Sequence, residues 1–277
     1  MRIAIISDTH IAHASGAVYA NLLAVRAWAK AISPRTTLHL GDVTADGAQH
    51  PEQLDFAARF FAGWPGPIRL LAGNHDTGDN DDIARSASEP VIDAERLARF
   101  QRALGPSRFQ LTFDRWVLIG LNAQLLGSGG EEAAQDAWLD AALTGVNGPL
   151  GLFLHKPLFL GQEGETPRHA RYVPPEPRAR LLARLKRRDL RFVVSGHAHQ
   201  LRRRVFDGVE HVWVPSCAFV IPDAMQEVLG EKTVGVISLT LDRDGHDIQF
   251  VVPPGVACHN LLDQADIYPQ LRTNTPS

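Results

Sequence analysis

The strongest constraint on this chain is where its histidines and carboxylates fall: at the ends of short apolar runs. Ile3 to Ser7 leads into Asp8-Thr9-His10, and Thr37 to Leu40 leads into Gly41-Asp42. Ile68 to Ala72 leads into Gly73-Asn74-His75-Asp76, the run from Leu150 ends at His155, and Arg191 to Ser195 leads into Gly196-His197-Ala198-His199. Longer segments with helical periodicity lie between or beside them: Ala17 to Ile32, Pro51 to about Phe61, Asp93 to Leu104, Glu131 to Leu143 and Glu176 to Arg188. That alternation is the rhythm of βαβ units. An open α/β sheet places its ligand crevice at the carboxyl ends of its strands, which is where five of the twelve histidines sit.

Elsewhere the pattern changes. Phe109 to Phe113 and Trp116 to Leu121 flank Asp114-Arg115 and predict a hairpin. Thr77 to Pro90, with Gly78, Asp79, Asn80, Asp81 and Asp82, has no apolar period and predicts a loop. After Leu201 short strands dominate: Leu201 to Phe206, Val209 to Val214, Thr233 to Leu241 and Asp247 to Val252, with turn signals at Asp207-Gly208 and Asp244-Gly245. Residues 1–252 are expected to form one domain, with a cap segment at 215–232. Residues 253–277 form an arm whose Leu261, Leu262, Ile267 and Tyr268 pack on something or on a second copy.

Composition narrows the partners. The 277 residues are 44% apolar and 21% charged, which is globular, and the net charge of -3 offers no field for long nucleic acid or an anionic membrane. Cys217 and Cys258 alone exclude a disulfide scaffold and a four-cysteine zinc site. No apolar stretch reaches the length of a signal-peptide core or a membrane span, so a cytoplasmic location is expected.

Carboxylates and imidazoles gathered at strand ends suit two divalent cations that share one bridging carboxylate and clamp a phosphoryl group. Asp42 is the natural bridge, and mixed imidazole and carboxylate donors favour Mn, Fe or Zn, of one kind or mixed. In Asp8-x-His10 and His197-x-His199 alternate residues point the same way, so each pair reaches one cluster. Taken singly, each motif reads equally as a turn or a hydrogen-bonded core residue; as an ordered set they specify a site.

In that order, from Asp8 to His199, the motifs resemble the calcineurin-like metallophosphoesterase superfamily. Length and spacing resemble most its bacterial class III cyclic-nucleotide phosphodiesterase and glycerophosphodiesterase branch. The resemblance implies an α/β fold of mixed sheets, the four-layer αββα sandwich. It implies that Asp8, His10, Asp42 and His199 hold one metal and that Asp42, Asn74, His155 and His197 hold the other. His75 is then free to protonate the leaving-group oxygen or stabilise the transition state, with Asp76 orienting its imidazole, and Asn74 and His75 touch the substrate. The implied reaction is hydrolysis of a small phosphodiester by in-line attack of a metal-activated hydroxide, without a covalent intermediate. A phosphomonoesterase on the same centre and a non-catalytic metal-binding scaffold are the competing readings. Regions such as 215–232 and the arm serve relatives as caps or subunit contacts, so a homo-oligomer is implied on that ground only.

Lys156 stands where many relatives carry a second histidine; it either supplies a cation to a substrate phosphate or carboxylate, or faces solvent. Gly161 to Pro177, with Arg168, His169, Arg171 and Tyr172, is either a substrate loop or a surface crossover. The arginines from Arg178 to Arg191 spread around one helix without interleaved aromatics, which fits a solvated face better than an RNA platform. His39, His50, His211, His246 and His259 are expected to be structural, and His13 lies near enough to His10 to line a pocket.

Overall fold

The computed structural model describes residues 1–14, 16–80, 90–162, 164–166, 168–243 and 245–274. Its strands sort into two mixed sheets. The first has the order β11-β10-β1-β2-β3, formed by β1 (Arg2–Ile6), β2 (Thr37–His39), β3 (Ile68–Leu70), β10 (Val236–Leu241) and β11 (His246–Val251). The second has the order β4-β5-β6-β7-β9-β8, formed by β4 (Phe109–Phe113), β5 (Trp116–Gly120), β6 (Pro149–Leu154), β7 (Asp189–Ser195), β8 (Arg202–Phe206) and β9 (Val209–Trp213). β1, β2 and β3 are parallel, as are β5, β6, β7 and β9, while β10, β11, β4 and β8 pair antiparallel at the flanks.

The period-2 alternation of side chains explains the layering. Ile3 and Ile5 of β1 face inward to meet Leu118, Phe153, Phe192 and Val194 of the second sheet, together with Ile237 and Leu239 of β10. Trp116 stacks on Phe192 in this seam, ring centroids 5.7 Å apart. Ile6 faces the other way, toward helices α1 (Gly16–Ile32) and α2 (Pro51–Ala62), where it packs with Leu22, Val25, Leu54 and Phe60. On the opposite face Val117 and Ile119 meet α5 (Glu132–Ala142) and α6 (Pro175–Leu185) through Leu139, Leu181 and Leu185. Helix, sheet, sheet, helix is the αββα sandwich. The βαβ rhythm therefore builds two parallel groups in separate sheets, and the chain changes sheet between α4 (Ala94–Leu104), N-capped by Asp93, and the β4–β5 hairpin.

Two local expectations shift. Asn74–Thr77 forms a single helical turn, α3, that runs one residue into the loop expected over Thr77 to Pro90, and Gly78 at φ 86 ends it. Residues 81–89, with Asp81 and Asp82, and Asp244 of the second turn signal lie outside the described residues. The α6 helix stops at Leu185, short of Arg188, whose guanidinium turns back to donate to the Val146 carbonyl at 3.1 Å.

After Pro253 the chain runs back over α1. The Asn21 side chain bonds both the N–H and the C=O of Ala257, at 2.9 and 2.8 Å. Val220 and the arm exchange backbone hydrogen bonds with His259 and Leu261, each 2.9 Å. No helix among the described residues is long and apolar enough to cross a membrane.

Because Phe192 is fully buried between the two sheets, Phe192→Ala should cost about 3–5 kcal/mol, read as a lower urea midpoint with an unchanged m-value.

Candidate metal centre

The C-terminal ends of β1, β2, β3, β6 and β7 converge from both sheets on one point. Backbone bonds align the first-sheet ends, with Asp8 N–H donating to Gly41 O at 3.0 Å and His10 N–H to Asp42 O at 3.1 Å. Within the second sheet the ends of β6 and β7 are aligned in the same way by Gly196 N–H donating to His155 O at 2.9 Å. The sheets are then stitched together by the His197 N–H, 3.2 and 3.1 Å from the two oxygens of the Asp8 carboxylate. Ser7 adds a short hydroxyl bond to the same carboxylate.

The backbone is bent unusually to bring the donors inward. Asp8, His10, Asp42, His197 and His199 all have positive φ, between 44° and 65°, and they are five of the eight such non-glycine residues among those described. Left-handed backbone is tolerated best by short polar side chains, yet it still costs energy, and its concentration at one point marks a functional site.

The donors fall into groups in which every ligand atom lies within 4.8 Å of the others: Asp8, His10 and His199; Asp42, His155 and His197; and His10, Asp42 and His75. Asp42 joins them through a single oxygen, Oδ2 being 3.9 Å from His10 Nε2 and 3.2 Å from His155 Nε2. His10 Nε2 is 3.1 Å from His199 Nε2, which is itself 3.4 Å from Asp8 Oδ1. Asn74 Oδ1 and His197 Nδ1 each lie 3.1 Å from His155 Nε2.

Ring orientation follows a rule. His155 Nδ1 bonds the Leu40 carbonyl at 2.9 Å, His199 Nδ1 the Phe219 carbonyl at 3.0 Å and His75 Nδ1 the Ala45 carbonyl at 2.6 Å. Each carbonyl takes the Nδ1 proton and leaves Nε2 as the inward donor, the outer-shell arrangement that fixes a metal-binding tautomer. His10 differs, its Nδ1 lying 2.7 Å from the hydroxyl of Tyr268.

Burial penalises charge here, and the groups answer by pairing. Burial pushes Asp8 upward, but the adjacent His199 outweighs it and holds the carboxyl well below the usual range. Burial lowers His155, and Asp42 overcomes it so that the ring rises to about 9. Buried carboxylates and imidazoles aimed at common points, with Nε2 freed, fit divalent cations that accept both donor types. The residues present therefore suit a dinuclear centre bridged by Asp42.

Three sequence expectations need correction. Asp76 does not orient His75: its carboxylate accepts from Val43 N–H at 3.0 Å, Thr44 N–H at 2.8 Å and Gly73 N–H at 2.9 Å, and Ala45 holds the imidazole instead. Burial, with Asp42 nearby, raises Asp76 to about 6. Lys156 is neither solvent-facing nor presented to a substrate; it is fully buried, in an ion pair with Asp79 and 2.9 Å from Asn80 Oδ1. Asn80 in turn donates to the carbonyls of Ala123, Gln124 and Leu126, so the cation locks the loops after β3, β5 and β6 together. Arg178 is buried, not solvated, and donates to Leu158 O, while Arg180 and Arg184 pair with Glu132, Asp136 and Asp140 on α5.

Beside Asn74 and His75 opens a cleft of about 610 Å³, walled by the start of α2 and by residues 266–270 of the arm. His13 lines it as expected, and so does His50, which had been set aside as structural. No described residue of 161–177 reaches its lining, and Tyr172 packs away from it against Ala198 and Trp213. Tyr268 was legible only as an apolar position of the arm, since 258 residues separate it from His10 and no motif spacing links them.

Lys156→Ala should leave the Asp79 carboxylate buried without its cation and cost about 3–5 kcal/mol in denaturant unfolding. A variant that unfolds like the wild type but raises KM would instead return Lys156 to the substrate.

Comparison with known proteins places this geometry. The chain matches no functionally curated protein sequence. Among solved structures it is similar to a dimetal phosphatase from Danio rerio, at 13% identity and a TM-score of 0.59 over 90% of this chain and 95% of that one. It is also similar to the purple acid phosphatase PPD1 from yellow lupin seeds, at 14% identity and a TM-score of 0.63 over 93% of this chain and 52% of that one. GAP50, the anchor in the inner membrane complex of Plasmodium, aligns at 14% identity and a TM-score of 0.59 over 93% and 86%. At such identities the likeness speaks for the fold alone. The model of the calcineurin-like phosphoesterase family matches residues 1–201, a span that contains every candidate ligand, and the chain belongs to that family.

Proposed function

We propose that this protein hydrolyses small phosphodiesters, with Asp8, His10, Asp42 and His199 holding one divalent cation and Asp42, Asn74, His155 and His197 the other, Mn, Fe or Zn being the suited metals. One observation carries the choice of a diester: the cleft beside the centre is lined by Asp46, Glu52 and Asp266, with Asp79 paired to the buried Lys156, and by no lysine or arginine among its described lining residues. A phosphomonoester brings a second negative charge, which enzymes commonly meet with a guanidinium or ammonium. A diester brings one charge and a second substituent to house, and a roomy cleft without lysine or arginine suits that better.

Bound cations supply the charge that neutralises the phosphoryl oxygens and acidifies water. The chain's own residues do the rest. His75 lines the cleft with Nδ1 committed to Ala45, so Nε2 is the nitrogen able to pass a proton to the leaving oxygen. Burial disfavours a charged His75 ring, but Asp42 and the Ala45 carbonyl outweigh it and raise its pKa. Asn74 presents its amide beside His155 at the mouth of the cleft.

Protein stripped with chelator and reloaded singly with Mn, Fe, Zn, Co or Mg should turn over bis(p-nitrophenyl) phosphate in preference to p-nitrophenyl phosphate. Asp42→Ala should abolish turnover, and His75→Ala should lower kcat by about 10²–10⁴-fold. A monoester preference would make the protein a phosphatase. Stoichiometric metal binding without turnover would make it a scaffold.

A further inference from the structure

We infer that Tyr268, from the arm beyond the matched family span, is a positioning residue of the metal centre that holds the His10 ring with Nε2 turned toward the cation. The inference rests on the reading of His10 as a ligand. Of the four rings whose Nδ1 contact is given above as an orienting one, those of His75, His155 and His199 are held by main-chain carbonyls and only that of His10 by a side chain. With Nε2 unprotonated for metal binding, Nδ1 carries the proton and donates it to the phenol oxygen at 2.7 Å.

The surroundings make Tyr268 a firm support. It is 7% exposed, in a cluster with Val18, Ala45, Ala218, Phe219 and Ile267. Phe219 lies beside the partners, its ring 5.0 Å from both His10 and His199 and 5.9 Å from Tyr268. Its carbonyl is also the group that orients His199. Both histidines of the Asp8–His10–His199 group are therefore oriented from one patch, built of the 217–221 loop and the arm lying on it. The arm is seated there by Asn21 at Ala257 and by the backbone bonds between Val220 and residues 259–261. The contact joins residues 258 positions apart, so the seating of the arm and the orientation of one ligand are a single event.

Tyr268→Phe removes the hydroxyl and keeps the ring in its cluster. Metal-free wild type, Tyr268→Phe and His10→Ala should be titrated with Co(II), following visible absorption and heat. Tyr268→Phe should melt like the wild type without metal and lose about 10–100-fold in affinity at one of two sites, the other being unchanged. With metal restored at the wild-type working concentration its kcat should fall while KM holds, and saturating metal should recover most of the loss. Wild-type affinity at both sites, equal loss at both, or a lowered metal-free melting temperature would overturn the positioning role. His10→Ala separates the two ideas: loss of one site upholds the ligand assignment whatever Tyr268→Phe does, and two intact sites in it overturn the assignment itself.

Discussion

Everything in the centre turns on placing one carboxylate, Asp42 from the first sheet, between two groups of ligand atoms, one with His10 and His199 and one with His155 and His197, to which both sheets contribute. A single oxygen must reach His10 on one side and His155 on the other, so loops from both sheets must approach within a few ångströms. Side chains would prevent it. A Cβ on Gly73 would collide with the Asp42 carboxylate, and one on Gly196 would collide with the Ser7 hydroxyl. The glycines of the Gly-Asn-His-Asp and Gly-His-x-His motifs are thus the spaces into which the ligands of the neighbouring strand fit.

The close approach creates a debt of strain and buried charge. Each left-handed residue costs on the order of 1–3 kcal/mol, and such residues persist only where the surroundings over-determine them. The seam of Ile3, Ile5, Phe153, Phe192 and Val194 sits directly below the strand ends and provides that rigidity. Asp76 serves the same end from within, gathering the N–H groups of Val43, Thr44 and Gly73 so that the second and third strand ends cannot drift apart. Lys156 does it for the outer loops. Both bond to the frame around the site rather than to a candidate ligand, and both make its geometry reproducible.

What could be seen in the sequence follows from how local each signal is. Strand ends, helix spans and the Asp114-Arg115 hairpin depend on neighbours a few residues away, and the ligand motifs sit at those ends. The division into two sheets came only with the family resemblance, because nothing local tells β5 to pair with β6 rather than extend the first sheet. Lys156 was misplaced because its partner is chosen by tertiary contact: Asp79 and Asn80 belong to a stretch that shows only loop composition. Asp76 follows His75 in the chain, yet the turn of α3 gives the two side chains different partners. Tyr268 carries no local signal of its role at all.

The molecule therefore separates two tasks along its length. Residues 1–201 carry the proposed ligands and the proposed proton donor, groups whose geometry is fixed by strand ends and backbone carbonyls. The wall of the cleft opposite α2 comes from 266–270, outside that span. On the proposed reading the first part sets what is done to the phosphoryl group, and the second completes the cleft for what hangs from it. Like charges brought together in a partly desolvated site cost several kcal/mol, so Asp266 on that wall, with Asp46 and Glu52 from the first part, discriminates by refusing a second anion rather than by gripping a favoured one. Because Tyr268 belongs to the same wall and also orients His10, the residues that admit the leaving group and one ligand of the metal centre share a single support.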